Sequence, residues 1–157
     1  MKFLVTYKSV TGNTKKIAEA IYDELPDNKE IKPIDEVDTI DHDFAFIGFP
    51  INAGKPLKDA SDFIKEKASG KKVAIFVTHS TPMDAPPLEP MLNACKEVTV
   101  GSEMVGFFDC QGEFPESLAK LNEQFKKARE TTMGLPNESD LQKAREFAKT
   151  VVNKLSS

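Results

Sequence analysis

A run of small polar residues, Ser9-Val10-Thr11-Gly12-Asn13-Thr14, lies between an apolar segment and a segment of helical period. The run offers three hydroxyls, one amide and one glycine. The first residues of a helix leave several backbone N–H groups without intrahelical partners, and the helix dipole adds about half a positive charge there. Such a place can bind a phosphate group. An ordinary helix cap made of the same residue types is the alternative interpretation.

The same run lacks the signatures of larger nucleotides. It contains no GxxxxGK, so no lysine would reach a terminal phosphate, and no GxGxxG, so the dinucleotide fingerprint is missing. Nucleoside triphosphates and a Rossmann-bound NAD are therefore disfavoured. We expect a single phosphate monoester, held by loop N–H groups and by the hydroxyls of Ser9, Thr11 and Thr14, with Gly12 allowing a close backbone approach.

The length, the net charge and the cysteine and histidine content limit the classes of protein to which this chain can belong. The chain of 157 residues has the length of one domain, and we treat residues 1–157 as such. A net charge of −4 with scattered Lys and Arg disfavours nucleic acid and anionic membranes as partners. No signal segment and no apolar run near the ~20 residues of a membrane span is present, so we expect a soluble cytoplasmic protein. The two Cys and two His lack metal-ligand spacing, so we expect no metal site.

Apolar runs alternate with segments of helical period along the chain, which predicts an α/β fold with a mainly parallel sheet. Strands are predicted at 2–8, 30–34, 44–49, 72–77 and within 98–108, and helices at 13–25, 57–68 and around 88–95. Charges and Pro33 put the second strand at an edge, whereas the apolar third strand suits the centre. The predicted order is 2-1-3-4-5, a doubly wound sheet.

Two further helices are predicted at the end of the chain. One carries Leu118, Leu121, Phe125 and Ala128 at helical spacing, and the other carries Leu141, Ala144, Ala148, Val151 and Leu155. In the predicted order, the first and third strands lead to opposite helical layers, and a ligand crevice opens at their carboxyl ends. Three loops reach this crevice or lie beside it, at 9–14, 50–54 and 78–87.

The pattern S-x-T-G-N-T-x-K-x-A after an apolar strand resembles the FMN phosphate loop of the flavodoxin family. Its matching residues are Ser9, Thr11, Gly12, Asn13, Thr14, Lys16 and Ala18. The resemblance extends to the order of strands and helices, and to Gly48-Phe49-Pro50, Thr78-His79-Ser80 and Cys110-Gln111-Gly112. It implies a flavodoxin-like, three-layer fold around a five-stranded parallel sheet, with FMN as the cofactor.

By this resemblance the FMN phosphate lies on residues 9–14 and the ring lies between the loops that begin at Pro50 and Thr78. No side chain needs to be catalytic. The residues that we expect at the cofactor are Ser9, Val10, Thr11, Gly12, Asn13, Thr14, Pro50, Ile51, Asn52, Ala53, Gly54, Thr78, His79, Ser80, Cys110, Gln111 and Gly112.

One departure from the family concerns the flanks of the flavin ring. Flavodoxins commonly hold the ring between a tryptophan and a tyrosine, but this chain has no Trp, and its two tyrosines, Tyr7 and Tyr22, fall in the first strand and helix. The side chains left to cover the ring are Ile51, Pro82 or Met83, with Phe107, Phe108 or Phe114 from the last strand. We therefore expect a ring face that is more open than in an electron-transfer flavodoxin.

Several polar residues near the crevice have two interpretations. His79 would donate to the flavin or supply a proton, or it would be a loop histidine bonded to nearby backbone. Cys110 would reach the flavin edge or be a core thiol at a strand end. Asn52 and Gln111 are candidates for amide contacts to the ring. The acidic run at 35–43 would attract basic partners or be a solvated loop.

The resemblance implies an electron carrier that shuttles between a donor reductase and an acceptor enzyme, as a monomer or weak dimer. The alternative is an enzyme of the same fold, either an NAD(P)H-dependent flavin or quinone reductase or a flavoprotein that reduces a larger organic substrate. A third interpretation is a doubly wound domain that has kept the fold and lost the cofactor.

Overall fold

The sheet at the centre of the molecule contains five parallel strands and one short antiparallel strand. A computed structural model describes residues 1–157. The strands are β1 (Phe3–Tyr7), β2 (Lys29–Pro33), β3 (Phe44–Asn52), β4 (Lys55–Pro56), β5 (Lys72–His79) and β6 (Glu103–Gln111). Their order is β2-β1-β3-β5-β6, with β4 paired to the end of β3. The predicted doubly wound order is confirmed, and the proline-bearing β2 lies at an edge.

Helices cover both faces of the sheet. They are α1 (Asn13–Glu24), α2 (Lys58–Lys67), α3 (Leu88–Glu97), α4 (Glu116–Ala119), α5 (Glu123–Thr132) and α6 (Glu138–Leu155), with one 3-10 turn at Ile34–Glu36. Helices α1 and α6 share a core with one face of the sheet, and α2 and α3 share a core with the other. The chain therefore forms three layers.

The central strands β1, β3 and β5 are buried on both sides, which explains their almost continuous apolar sequences. Along β1, Leu4 faces the core of α2 and α3, whereas Val5 faces the core of α1 and α6. In the same way Ile75 and Phe76 of β5 point to opposite cores. Because successive side chains alternate between the faces, every apolar residue of β1 and β5 is removed from water.

Three strands continue past their predicted ends. β3 extends to Asn52, where it turns back into the unpredicted β4, and β5 extends to His79. β6 extends to Gln111 and so includes Cys110. Residues assigned to loops by sequence therefore lie on regular strand ends, where ladder hydrogen bonds fix them more firmly than a loop would.

The segment between β6 and α6 contains two helices where one was predicted. The break lies at Asn122, whose side chain accepts a hydrogen bond from the N–H of Phe125 at 2.8 Å and so begins α5. Leu118 and Leu121 are 41% and 67% exposed and do not share the buried stripe that their spacing predicted. Phe125 instead packs on Phe114, with ring centroids 5.2 Å apart.

Candidate functional site

A cavity opens at the carboxyl ends of the central strands. Its volume is about 120 Å³. It is lined by Val10, Thr11, Asn13, Thr14, Pro50, Ile51, Asn52, Thr78, His79, Ser80, Glu113 and Pro115. The structure thus brings together residues from all three of the predicted loops, at the switch point of the strand order.

The loop at 9–14 is held in shape by Ser9 and Gly12. Ser9 Oγ accepts hydrogen bonds from the N–H groups of Gly12 at 3.1 Å and Lys15 at 3.3 Å. Gly12 has φ 97°, a left-handed conformation that favours glycine, and it immediately precedes α1. Since both acceptor positions of the Ser9 hydroxyl are used, its hydrogen is left for a ligand.

Four backbone N–H groups in this loop have no acceptor within the protein. They belong to residues 10, 11, 13 and 14, and the neighbouring N–H groups of Gly12 and Lys15 are bound to Ser9. The first turn of α1 carries no acidic residue that would neutralise the helix dipole. Lys15 and Lys16 are exposed at the start of the helix. The loop therefore presents free donors in a positive field, which suits an anion.

A buried hydrogen bond joins the loop to the neighbouring strand. The Oγ1 atoms of Thr14 and Thr78 lie 2.8 Å apart, and both residues are buried. One hydroxyl donates to the other, so one hydroxyl hydrogen of the pair remains available to a ligand in the cavity. The pair thereby links the start of α1 to the end of β5.

Glu113 and Pro115 line the cavity but were missed in the sequence. Asn13 Nδ2 donates to the carbonyl oxygen of Glu113 at 3.1 Å, which fixes this segment against the loop. Gly112 makes the approach possible, because a Cβ at this position would lie 2.5 Å from Asn13 Nδ2. The glycine after β6 was the one available signal that the chain passes close to another segment here.

Seven predicted cofactor residues do not line the cavity, and five of them lie outside the 9–14 loop. Ala53 and Gly54 form the tip of the β3–β4 hairpin, with φ 51° and 77°. Gln111 Nε2 donates to the carbonyl oxygen of Ser80 at 3.2 Å. Gly112 packs on Asn13, as described. Cys110 is buried in the core beneath α1 and α6, where burial and the nearby Asp140 and Asp109 raise the pKa of its thiol to about 12.

Ser9 and Gly12 also lie outside the lining of the cavity, although they shape the loop that forms it. Cys95, on α3, is fully buried. Burial, with a smaller contribution from Asp109, raises the pKa of its thiol to about 12. Both thiols are therefore protonated core groups at neutral pH.

His79 is the last residue of β5 and not a loop residue. Its Nε2 lies 2.9 Å from Asp109 Oδ2, and its carbonyl oxygen accepts from the N–H of Gly112 at 2.7 Å. The imidazole Nδ1 is buried and has no hydrogen-bond partner. The imidazole is thus bonded to a carboxylate on the neighbouring strand, and not to nearby backbone.

No phenylalanine, tyrosine or tryptophan lines the cavity. Phe108 stacks on Phe147 with ring centroids 5.4 Å apart, and Phe107 lies beneath the ammonium of Lys96 at 4.9 Å. Pro82 and Met83 are also outside the lining, so Ile51 is the residue of the predicted set that reaches it. A planar ligand in this cavity would meet aliphatic and polar groups.

No group of three or more His, Cys, Asp or Glu side chains is close enough to hold a metal ion. None of the helices combines the length and the apolar character that crossing a membrane requires.

A family model described as a flavodoxin domain matches residues 4–149. A protein of Clostridioides difficile, described as flavodoxin-like domain-containing protein BilS, is 31% identical over an alignment of 175 residues that covers 99% of both chains. The uncharacterized protein MJ0298 of Methanocaldococcus jannaschii is 36% identical over 162 residues, covering 97% of this chain and 99% of the relative.

Solved structures give the same result for the fold. A flavodoxin from the domain Archaea has a TM-score of 0.66 at 19% identity, with complete coverage of both chains. Oxidised Flavodoxin 2 from Bacillus cereus has a TM-score of 0.67 at 20% identity and covers 98% of this chain and 99% of its own. A flavoprotein of Lactobacillus acidophilus in complex with FMN has a TM-score of 0.55 at 21% identity, covering 69% of this chain and 92% of its own.

Proposed function

This chain belongs to the flavodoxin family, whose cofactor is FMN, and we propose that it carries electrons between protein partners on an FMN bound at the 9–14 loop. The observation that carries the proposal is the set of free N–H groups at residues 10, 11, 13 and 14, arranged around the left-handed Gly12 at the start of α1. Such a set fits the terminal phosphate of FMN.

The residues present fit the rest of the cofactor as well. Hydroxyl hydrogens of Ser9 and of the Thr14–Thr78 pair are left over for phosphate oxygens. Residues 50–52 and 78–80 would contact the rest of the cofactor, and among them His79 has a buried Nδ1 without a hydrogen-bond partner. FMN supplies the redox chemistry, and these residues bind it, orient it and shape its electrostatic surroundings.

The cavity of about 120 Å³ is smaller than the roughly 300–1,000 Å³ of pockets that enclose a ligand. It would hold a phosphate and one edge of a ring, and it would leave the other edge at the surface. An exposed flavin edge suits electron exchange with a docked protein, and the proposed partners are a donor reductase and an acceptor enzyme.

A flavin-dependent reductase is the second candidate, and the absence of aromatic side chains from the cavity favours it. An organic substrate could stack on a ring face that no Trp or Tyr covers. Direct use of NAD(P)H has less support, since the sequence has no recognisable pocket for a nicotinamide phosphate.

The two candidates differ in how the FMN-loaded protein handles electrons. For a carrier, photoreduction should accumulate the one-electron-reduced flavin, and the protein should oxidise NAD(P)H with a quinone acceptor no faster than free FMN does. Rapid NAD(P)H oxidation with a small acceptor would instead identify the enzyme. A protein that takes up no FMN would contradict both candidates.

We also propose a cytoplasmic location and a monomeric or weakly dimeric state. The two free, buried cysteines support a reducing compartment. Light scattering on the eluate of a size-exclusion column, over a hundredfold range of loading concentration, would test the second statement, and a tight oligomer at every concentration would refute it.

A further inference from the structure

His79, at the cofactor cavity, has a hydrogen-bond partner for only one of its two ring nitrogens. The side chains of His79 and Asp109 are 1% and 19% exposed, and Nε2 lies 2.9 Å from Oδ2. The second ring nitrogen, Nδ1, is buried without any partner. Buried polar atoms are rarely left unpaired, so an unpaired one calls for an explanation such as a ligand or a change of charge.

The pair stands between two cavities. His79 lines the cofactor cavity, whereas Asp109 lines a second cavity of about 280 Å³ at the end of β6. Asp140 and Lys143 of α6 also border this second cavity. The imidazole is only 1% exposed, whereas the carboxylate that holds it is 19% exposed and keeps a route to water.

We propose that His79 and Asp109 form a redox-linked proton acceptor, in which the imidazole takes up one proton when the bound FMN is reduced. The inference rests on the proposed function, because it requires FMN in the first cavity. Asp109 is a positioning residue: its carboxylate accepts from Nε2–H and so directs the incoming proton to Nδ1.

The driving force is the charge of the pair. With a neutral imidazole the pair carries one negative charge beside the cofactor, which opposes the arrival of electrons; with an imidazolium its net charge is zero. The balance is two electrons from a protein donor and two protons from water, one proton for the flavin and one for Nδ1. Oxidation returns both protons and both electrons.

The other titratable groups around the pair are carboxylates, one lysine and two thiols. Glu113 lines the same cavity, but its carboxylate accepts from the N–H of Gly134 at 2.9 Å and lies 3.8 Å from Arg129 Nη1. Burial holds the thiols of Cys95 and Cys110 neutral, with their pKa values raised to about 12. The remaining charged neighbours are Asp140 and Lys143 on α6, which border the second cavity together with Asp109. Among these side chains the imidazole is the one with a buried, unpartnered ring nitrogen that can accept a proton.

The test is an NMR titration of the two imidazoles in the FMN-loaded protein, once oxidised and once fully reduced. His42, whose Nε2 lies 3.0 Å from Glu30 Oε1, is the internal control. We expect reduction to tighten proton binding at His79 by about tenfold or more, within the usual range for coupled sites, and to leave His42 almost unchanged. Equal titration of His79 in both states, with one FMN still bound per chain, would overturn the inference but not the proposed function.

A second measurement is the pH dependence of the two-electron potential in wild type, H79Q and H42Q. Glutamine can keep the hydrogen bond to Asp109 but cannot take up the proton. The wild type and H42Q should show a steeper fall of potential with pH than H79Q in the range where the His79 imidazole titrates. Identical slopes in all three proteins would contradict the inference, and the wild-type NMR titration decides the matter if H79Q fails to fold.

Discussion

Thr14 Oγ1 and Thr78 Oγ1 lie 2.8 Å apart in the interior of the protein. Thr14 is in the first turn of α1, and Thr78 is the second-last residue of β5. The hydrogen bond between them therefore couples the phosphate-binding end of the helix to the strand that forms the next wall of the cavity. The position of the 9–14 loop depends on β5 as well as on its own hydrogen bonds.

Replacing either threonine with valine should destabilise the apoprotein by about 1–3 kcal/mol, because the remaining buried hydroxyl loses its partner. The double variant T14V/T78V should be less unstable than the sum of the single effects, yet it should still bind FMN more weakly than wild type because both hydroxyls are gone. Urea unfolding and FMN titration measure the two effects. Additive stability losses, or wild-type FMN affinity in the double variant, would show that the pair does not act in this way.

Gly12→Ala should weaken FMN by about tenfold while changing riboflavin affinity little. Gly12 has φ 97° and no atom within 4 Å of an added Cβ, so the penalty is backbone strain of about 1–2 kcal/mol that displaces the phosphate-binding N–H groups. The matched control is Gly70→Ala, at φ 75° with equally open surroundings. It should lose similar stability and keep its FMN affinity. Equal losses for FMN and riboflavin in Gly12→Ala would refute the assignment.

Ser9→Ala should lower FMN affinity by roughly fivefold, because one hydrogen bond is worth about 1 kcal/mol. The variant also loses the oxygen that accepts from the N–H groups of Gly12 and Lys15, so the loop is held less firmly in shape. Ser102→Ala is the control, because Ser102 Oγ donates to the carbonyl oxygen of Thr99 at 2.8 Å at the opposite end of the sheet. An equal fall in FMN affinity in both variants would mean that the effect is not local.

Both cysteines should resist thiol reagents in the native protein at pH 8. Burial raises the pKa of each thiol to about 12, so the reactive thiolate is nearly absent and the sulfur is out of reach. A colorimetric thiol assay should detect two thiols in denaturant and none without it. Fast native labelling of Cys110 would place its side chain at the surface, against the structure.

The same thiols should make stability fall in alkali. The ordinary pKa of a thiol is 9.0, and the native protein raises the pKa of both thiols to about 12. Between these two pH values the unfolded thiols ionise while the native thiols stay protonated, so rising pH favours the unfolded state. The variant C95A/C110A should lose less stability than wild type between pH 9 and 11, measured by urea unfolding at each pH. Equal losses of stability in the two proteins would show that ionisation of the thiols does not cause the loss.

The sequence was sufficient for the strand order because each buried strand is a continuous apolar run, and a proline marks the edge strand. It was insufficient for β4, because Lys55-Pro56 has neither the length nor the alternation of a strand. The break between α4 and α5 was also missed, since the spacing of Leu118 and Leu121 fits a helix that the cap at Asn122 interrupts.

The phosphate loop could be found because all of its parts are neighbours in sequence. Contacts between segments that are distant in sequence could not be found in this way. Cys110 points into the core because it alternates with Asp109 and Gln111 along β6, and the phase of that alternation follows from pairing with β5. Likewise the His79–Asp109 bond spans 30 positions and depends on strand register.

The most direct test of the account is a titration of the apoprotein with FMN and with riboflavin, which differ by the phosphate alone. A charged hydrogen bond contributes about 1.5–3 kcal/mol, so we predict one FMN per chain, with quenched flavin fluorescence, and at least about tenfold weaker riboflavin. Equal affinities for the two ligands, or no uptake of FMN, would contradict the central claim that the 9–14 loop holds the cofactor phosphate.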